Sequence, residues 1–260
     1  MIFVGGLSGN LEGEEMPVSY PGFKGGDRTN IDLPSVQRNC LKALKDAGKK
    51  IIFVNCSGSA IALTPETKTA DAILQAWYGG ESGGQAVADV LFGDYNPSGK
   101  LPVTFYKSSD QLKDFEDYSM KGRTYRFMDD ALFPFGYGLS YTQFDIGKAK
   151  FNKRTITKNE SITLTVPVTN SGKREGTEIL QVYVRKANDV NGPLKTLKGY
   201  KRVNLASGKT EKVNIELPPS SFEFYNSDQL TMMVTPGEYE VFYGNSSESK
   251  DLKLEKITIK

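Results

Sequence analysis

Three glutamates, Glu12, Glu14 and Glu15, stand close together in the glycine-rich segment LSGNLEGEEMPVSYPGFKGGDR, which directly follows the apolar run IFVGG. A carboxyl group works as a general acid near neutral pH only where apolar walls or a second carboxylate raise its pKa. Apolar residues of the same segment can form such walls. The three closely spaced glutamates therefore indicate a candidate general acid/base site. A solvated acidic loop, or an ion pair of one glutamate with Arg28 or Lys24, explains the same residues structurally.

Four other residues are candidates for contact with a substrate. Asp27 and Arg28 end the acidic segment, where they form either a substrate contact or a structural ion pair that fixes the return of the loop. Trp77 and Tyr78 precede the turn GGESGG, and aromatic rings can stack on the apolar face of a sugar. Packing in the core of the sheet is the alternative for Trp77. The GGESGG turn fits neither of the common phosphate-binding glycine patterns, which disfavours a nucleotide site.

The composition limits the available chemistry. The 260 residues include no histidine, which excludes catalytic triads with an imidazole and histidine metal sites. The 33 basic and 31 acidic residues leave a formal net charge of +2, so neither nucleic acid nor an anionic membrane is expected as a partner. Two cysteines, Cys40 and Cys56, are too few for a disulfide framework, and we expect two buried free thiols. We expect no metal and no cofactor.

The beginning of the chain is unusual for a complete domain. No apolar run reaches the roughly 20 residues of a membrane helix, and no signal-peptide pattern precedes the first strand. The sequence opens with MIFVGG, already inside a strand of the buried type. Because a first strand without a linker or neighbour leaves its edge unprotected, we expect further polypeptide upstream of Met1 in the natural protein.

The elements that position the candidate residues alternate between strand and helix over residues 1–107. The apolar runs IFVGG, KKIIFVN and DAILQAWY are typical of parallel strands covered on both faces. A second helix is predicted near residues 85–92. Loops after parallel strands emerge at one edge of the sheet, where ligands bind in such layers. The helical spacing in LPSVQRNCLKALKDAG predicts a buried face formed by Val36, Cys40, Ala43, Leu44 and Ala47.

The remaining sequence changes character twice. Regular periodicity fades over residues 108–143, whose aromatic-rich sequence predicts an ordered linker wrapped over a neighbouring domain. From residue 144 to 260, apolar and polar residues alternate between turns rich in Gly, Pro, Asn and Ser. The predicted fold class is therefore α/β, with a mainly parallel sheet and flanking helices, followed by an antiparallel immunoglobulin-like β-sandwich.

Several of these stretches together resemble the C-terminal portion of glycoside hydrolase family 3. IFVGGLSGNLEGEE and GGDRTNIDLPSVQ are similar to the strand, the acid/base loop and the D-R-x-x-[ILM]-x-L-P continuation of that family. QAWYGGESGGQAVADVLFGDYNPSGKLPVTF is similar to its long signature from W-x-x-G to L-P. FPFGYGLSYTQF resembles the end of its α/β-sandwich domain. VTNSGKREGTEILQVYV, LKGYKRV and TPGEYEVFYG resemble its fibronectin type III-like domain.

The resemblance implies a retaining, exo-acting β-glycosidase of the β-xylosidase or β-glucosidase type. In such enzymes one carboxyl group attacks the anomeric carbon and another protonates the leaving oxygen. Counting from the glycine that ends the strand gives Glu12 as the general acid/base, with Glu14 and then Glu15 as alternatives. The resemblance places the nucleophilic aspartate on an N-terminal (β/α)₈ barrel that these 260 residues do not contain. We therefore expect the isolated chain to be inactive.

The resemblance also implies partners and a location. The substrate would be a β-linked oligosaccharide or glycoside, the partner would be the barrel of the same polypeptide, and the full-length protein would be periplasmic or secreted. A second hypothesis is a non-catalytic carbohydrate-binding or assembly module. A third, disfavoured one is a nucleotide-dependent enzyme that uses the glycine-rich turn.

Overall fold

The structure is a computed structural model of the chain, and it describes residues 1–13 and 15–260. The candidate Glu14 lies outside the described residues. The chain divides into two compact units, which we call the α/β unit and the sandwich unit. Residues 108–143, the predicted linker, are shared between them, and the predicted domain boundaries stay a prediction. The α/β unit contains Met1–Asp94, Val103–Gly122 and Asp130–Phe133, and the sandwich unit contains Tyr95–Pro102, Arg123–Asp129 and Pro134–Lys260.

A parallel sheet organises the α/β unit, as the sequence predicts. Its strands have the order β1-β5-β6, and β2, β3 and β4 form a small antiparallel sheet in the loop after β1. The predicted α/β fold class is confirmed. The elements are β1 (Ile2–Gly6), β2 (Ser19–Tyr20), β3 (Phe23–Lys24), β4 (Asp27–Arg28), α1 (Ser35–Asp46), β5 (Ile52–Cys56), α2 (Glu66–Thr69), β6 (Ala72–Gln75), α3 (Gly83–Phe92) and a 3₁₀ turn at Ser109–Gln111.

The core of the α/β unit lies on one side of this sheet. Phe3 of β1 and Phe53 of β5 are in contact, with ring centres 5.8 Å apart. Both belong to the same apolar cluster, in which Phe3 is partly buried. The fully buried members of the cluster are Leu7, Phe23, Leu33, Leu41, Ile51, Phe53, Ile61 and Leu63.

The opposite side of β1 is uncovered. Side chains alternate between the two faces of a strand, and Ile2 and Val4, the neighbours of Phe3, are 49 % and 66 % exposed. The expectation that the strands are covered on both faces is therefore wrong for β1, which lies at an edge of its sheet. Helix α3 has no buried side chain among its described residues. No helix within residues 1–13 and 15–260 combines the length and apolar character needed to cross a membrane.

Helix α1 forms where the periodicity predicts it, but a different face is buried. Leu41 is fully buried, whereas Val36 and Cys40 are exposed. Of the predicted buried face, only Leu44 packs against the core, whereas Val36, Cys40, Ala43 and Ala47 are exposed. The prediction is wrong for these four residues, because the core contacts only the side of the helix that carries Leu41 and Leu44. The two thiols are free, as expected, but Cys40 is exposed and Cys56 is only partly buried.

Two sheets form the sandwich unit. The first has the order β13-β10-β7, with β8 also paired to β10, and the second has the order β12-β11-β16-β17-β9. All pairings are antiparallel except that of β17 with β9. The elements are α4 (Thr124–Phe127), β7 (Phe144–Ile146), β8 (Lys150–Phe151), β9 (Thr155–Ile156), β10 (Ile162–Asn170), β11 (Gly176–Lys186), β12 (Thr196–Leu205), β13 (Thr210–Leu217), β14 (Phe224–Asn226), β15 (Thr231–Met233), β16 (Gly237–Gly244), β17 (Lys253–Ile259) and 3₁₀ turns at Pro219–Phe222 and Ser249–Asp251.

One apolar core fills the sandwich. Strand β10 alternates strictly, so that Ile162, Leu164, Val166 and Val168 are buried while the residues between them are only partly so. Residues of β11, β13, β16 and β17 belong to the same cluster. This arrangement confirms the predicted antiparallel β-sandwich.

Segments that precede the sandwich in the chain pack onto it. Tyr125 of α4 stacks on Phe135, with ring centres 4.4 Å apart, and meets the buried Tyr183 edge-on at 5.7 Å. Gln181 donates a hydrogen bond to the carbonyl of Gly136 at 3.1 Å. These contacts order the segments around residues 125 and 135 within the sandwich unit.

Candidate functional site

The candidate acid/base loop begins at the carboxyl end of β1, where its first residues are firmly held. The side chain of Gln37 accepts a hydrogen bond from the Gly6 N–H and donates one to the Gly6 carbonyl, both at 2.8 Å. Gly6 has a φ of +125°, and a Cβ at this position would lie 1.9 Å from the carbonyl oxygen of Cys56. Only glycine suits this backbone, so the direction of the loop is fixed by helix α1 and strand β5.

The loop then turns and folds back on itself. The N–H of Glu12 donates to the carbonyl of Ser8 at 3.0 Å, and the N–H of Gly13 donates to the carbonyl of Gly26 at 3.2 Å. Gly26 has a φ of +90°, and a Cβ on it would lie 2.3 Å from the Gly13 carbonyl oxygen. The glycines of the segment thus allow a close approach of backbones that brings Glu12 back towards Arg28.

The carboxylate of Glu12 is bound on one side and open on the other. Its Oε1 accepts a hydrogen bond from the Ser59 hydroxyl at 3.1 Å and lies 3.9 Å from Nη1 of Arg28. The side chain remains 24 % exposed. Of the described glutamates of the loop, Glu12 makes these contacts, whereas Glu15 is exposed and has a left-handed φ of +50°.

Arg28 connects the loop after β1 to the loop after β5. Its guanidinium donates to the Ser59 hydroxyl at 3.1 Å and to the carbonyls of Ala60 and Asn30 at 3.2 Å each. Burial lowers the pKa of Arg28, and the nearby carboxylates of Glu12 and Asp32 oppose this effect. Arginine stays protonated in proteins, so the site contains a fixed cation.

Asp27 does not form the ion pair that the sequence suggests. No salt bridge joins it to Arg28 within the part of the chain that the structure describes, and Asp27 is exposed. The partner of Arg28 is Glu12 instead. The alternative in which a loop glutamate pairs with Arg28 thus describes the geometry better than the Asp27–Arg28 pair.

A network of polar side chains supports Ser59 from the ends of two strands. Asn55 donates to Gln75 at 2.6 Å, Gln75 donates to the Ser57 hydroxyl at 3.1 Å, and Ser57 donates to the Ser59 carbonyl at 2.8 Å. The Oδ1 of the buried Asn55 has no hydrogen-bond partner among the described residues. The sequence does not single out Ser59, whose only signal is its place in the loop after β5.

The two aromatic candidates have different surroundings. The hydroxyl of Tyr78 donates to the Leu7 carbonyl at 3.3 Å, and its ring remains about half exposed at the edge where the acid/base loop begins. Trp77 packs edge-on against Phe105, with ring centres 6.0 Å apart. Its φ of +56° is unusual for a bulky residue. The geometry brings Tyr78 to the same edge as Glu12 and Arg28, and it supports the packing role for Trp77.

The site shows no features of a metal centre. Across residues 1–13 and 15–260, no group of three or more cysteine, aspartate or glutamate side chains is arranged to hold a metal ion. The chemistry available at this edge is that of a carboxyl group with a neighbouring cation, hydroxyl and phenol. Such a carboxyl group can exchange a proton with a bound molecule.

Comparison with known proteins identifies the family. The model of the glycosyl hydrolase family 3 C-terminal domain matches residues 1–141. The chain belongs to glycosyl hydrolase family 3. The model of the fibronectin type III-like domain matches residues 178–247, within the sandwich of this family 3 chain. The resemblance seen in the sequence is thereby confirmed.

Relatives of this family 3 chain are much longer than it is. It is 59 % identical over 259 residues to a xylan 1,4-beta-xylosidase of Xylanibacter ruminicola, of which it spans 30 %. It is 39 % identical over 234 residues to a periplasmic beta-glucosidase of Salmonella typhimurium, and this match covers 85 % of the chain and 30 % of that protein. The chain thus spans less than a third of the length of these two relatives.

Solved structures of family members share the fold of the whole chain. A β-glucosidase of Erythrobacter marinus aligns with a TM-score of 0.85 and 33 % identity, over 100 % of this chain and 34 % of the other. A β-glucosidase of Listeria innocua in complex with isofagomine aligns with a TM-score of 0.83 and 27 % identity, over 99 % of this chain and 36 % of the other. The two units described here therefore correspond to about a third of each of these structures.

Proposed function

We propose that this chain is the C-terminal part of a retaining, exo-acting β-glycosidase and that Glu12 is its general acid/base. The observation that carries the proposal is the position of the Glu12 carboxylate. It is anchored by Ser59 and Arg28 at the carboxyl edge of a parallel sheet, where ligands bind in α/β folds, and it stays accessible from outside.

The proposed role uses both protonation states of the same group. In the first step Glu12 donates its proton to the glycosidic oxygen as the leaving group departs. In the second step its carboxylate accepts a proton from the water that hydrolyses the glycosyl-enzyme intermediate. Ser59 and Arg28 act by holding the carboxylate in one place, and the half-exposed ring of Tyr78 is the proposed surface for a sugar ring. Substrate contacts of Asp27 and Trp77 stay predictions.

The nucleophile is proposed to lie outside these 260 residues. Retaining glycosidases need a second carboxyl group about 5 Å from the first, and we assign it to an aspartate of an N-terminal (β/α)₈ barrel. Two observations support additional polypeptide: relatives that are about three times longer, and the exposed apolar side chains Ile2, Val4 and Val36 of the α/β unit. The chain alone is then inactive.

The substrate and location follow from the relatives. The names of the relatives favour a β-linked xyloside first and a glucoside second. A periplasmic or secreted location is supported by the periplasmic β-glucosidase among them. Specificity for the sugar at the reaction centre would depend mainly on the barrel.

The test is a set of single substitutions in the full-length protein. Glu12→Ala is expected to lower kcat/KM about 10³-fold on xylobiose, because an unassisted alkoxide is a poor leaving group. The loss on an aryl xyloside with a good leaving group should be far smaller, and azide should restore part of that activity. Glu15→Ala is the matched control and should retain near-normal rates. Full activity of Glu12→Ala, with loss in Glu14→Ala, would transfer the role to Glu14.

A further inference from the structure

An open cavity of about 280 Å³ lies in the sandwich unit, far along the chain from the acid/base loop. It is lined by the end of β11 and the turn that follows it, residues 186–189, by residues 224–227 of β14 and its turn, and by Thr235. Sites for small molecules start at roughly 300 Å³. The cavity is close to this lower limit, so its volume suits one small ring or the end of a polymer.

One wall of the cavity is an aromatic ring held at the surface. Phe224 points into the sandwich core, so Tyr225, the next residue of the strand, points outwards and is 61 % exposed. Its cross-strand neighbour is Met232, which is also exposed. The Tyr225 hydroxyl makes no hydrogen bond to any described residue. The ring is therefore an exposed apolar surface with a free polar end.

Polar groups of complementary types stand around this ring. Neither the ammonium of Lys186 nor the side-chain amide of Asn188 has a hydrogen-bond or ion-pair partner within residues 1–13 and 15–260. The carboxylate of Asp189 accepts one hydrogen bond, from the N–H of Gly192 at 2.9 Å, which fixes its position and leaves other lone pairs available. The cavity thus offers a hydrogen-bond donor in Lys186, an amide that can donate and accept in Asn188, and an acceptor in Asp189.

We infer that this cavity is a saccharide-binding site, separate from the acid/base loop. The ring of Tyr225 would lie against the apolar C–H face of a pyranose, and Lys186, Asn188 and Asp189 would bind its hydroxyl groups. A pyranose presents an apolar face and a rim of neutral hydroxyls, which matches one exposed ring and mixed polar groups. The carboxylate of Asp189 disfavours an anionic ligand, and the polar rim disfavours a purely apolar one.

The site would hold a polysaccharide chain near a glycosidase that shortens it. The choice of β-linked saccharides as ligands rests on the proposed function, whereas the location of the site rests on the contacts of the sandwich alone. The two ideas fail separately, because one is measured as binding to this chain and the other as turnover by the full-length protein.

The experiment is a titration of the 260-residue chain with xylohexaose and with cellohexaose, followed by calorimetry and by amide chemical shifts. We expect saturable binding of at least one of them, with shifts in residues 186–189 and 224–227. Tyr225→Ala should weaken binding at least about tenfold, and Tyr225→Phe should retain it. Tyr200→Ala is the matched control, since Tyr200 is 69 % exposed on β12 and does not line the cavity.

A second variant tests the polar side of the site. Asn188 has a left-handed φ of +62°, so Asn188→Gly removes the amide while keeping a backbone that glycine readily adopts. It should weaken binding severalfold with an unchanged circular dichroism spectrum. Absence of binding by the wild-type chain, unchanged affinity in Tyr225→Ala, or a loss of binding caused by Glu12→Gln would each overturn the inference.

Discussion

Side chains alternate between two faces in both β1 and β10, but the resulting burial differs between the two strands. In β10 every second residue from Ile162 to Val168 is buried in a core that both sheets of the sandwich share. In β1 the same alternation buries Phe3 partly and leaves Ile2 and Val4 in solvent. The sandwich unit therefore contains its own complete hydrophobic core. The α/β unit leaves apolar side chains of β1 exposed.

Two groups of charged side chains, one in each unit, also differ in how exposed they are. In the sandwich unit, Lys100 and Glu178 are nearly buried and form an ion pair of 2.7 Å. In the α/β unit, Arg28 and Ser59 converge on a carboxylate, Glu12, that remains accessible. The nearly buried ion pair of the sandwich unit serves packing, whereas the accessible carboxylate of the α/β unit is available for the candidate chemistry.

The largest effect is expected at the start of the acid/base loop. Gly6→Ala places a Cβ 1.9 Å from the Cys56 carbonyl oxygen at a φ of +125°, which should destabilise the α/β unit by about 4 kcal/mol. Trp77 is the only tryptophan of the chain and lies in this unit, so its fluorescence during urea unfolding measures the loss. The unfolding transition of the sandwich unit, followed by the far-ultraviolet circular dichroism of its strands, should stay at the urea concentration of the wild type.

Gly48→Ala is the control for this substitution. Gly48 also has a left-handed φ, +70°, but nothing lies within 4 Å of a Cβ there, so the cost should be only about 1.5 kcal/mol. If Gly6→Ala shifted the fluorescence and the far-ultraviolet transitions together, the two units would unfold as one and the comparison would be wrong.

A matched pair of isoleucines compares the two strands directly. Ile162→Ala leaves a cavity in the sandwich core, because Ile162 is fully buried, and should lower the free energy of unfolding by about 3 kcal/mol. Ile2→Ala removes the same atoms from an exposed position and should cost less than about 1 kcal/mol. Urea unfolding of the isolated chain measures both losses of free energy. Equal losses would mean that β1 is covered in solution.

Ser59→Ala tests the polar network without disturbing the core. In the full-length protein it should lower kcat on xylobiose about tenfold, because the Glu12 carboxylate loses its anchoring hydroxyl. The loss on an aryl xyloside with a good leaving group should be smaller, which a purely structural defect would not produce. Ser35→Ala, an exposed change in the same unit, should leave both rates unaltered. Equal losses on the two substrates would contradict a positioning role.

The smallest effect concerns acid stability of the sandwich. The N–H of Thr157 donates to Glu160 at 2.7 Å and Lys153 pairs with it at 2.9 Å, and together they lower the pKa of Glu160 from 4.5 to about 2. Because the folded-state pKa is depressed, this stabilisation is present above pH 4.5 and is lost as the pH falls towards 2.

Glu160→Gln should accordingly flatten the fall in thermal midpoint between pH 4.5 and 2. The variant is expected to be less stable than the wild type near neutral pH, and the two curves should converge at about pH 2. Scanning calorimetry at several pH values measures the thermal midpoints of the variant and the wild type. Parallel curves across the whole range would show that Glu160 makes no such contribution.

Local periodicity was sufficient to predict the parallel strands, the two main helices, most long strands of the sandwich and the order of the two folds. It did not predict β12 or the short strands β2, β3 and β4. It was insufficient for α1, where Val36 and Leu41 both fit a helical stripe and only the position of the core decides which is buried. The acidic loop indicated the region of the site, but the contact of Glu12 with Ser59 depends on two loops distant in sequence meeting at one edge. Spacing along the chain contains no information about such a contact.

Cys40 has a practical consequence for the study of this protein. Cys40 lies one helical turn after the exposed Val36 on α1, and it is the more exposed of two free cysteines. A maleimide dye attached there, with Cys56 changed to alanine, would place a single reporter on the exposed side of α1. A change in the dye's emission upon adding a separately expressed barrel, if one precedes this chain as proposed, would measure the association of the two parts in real time.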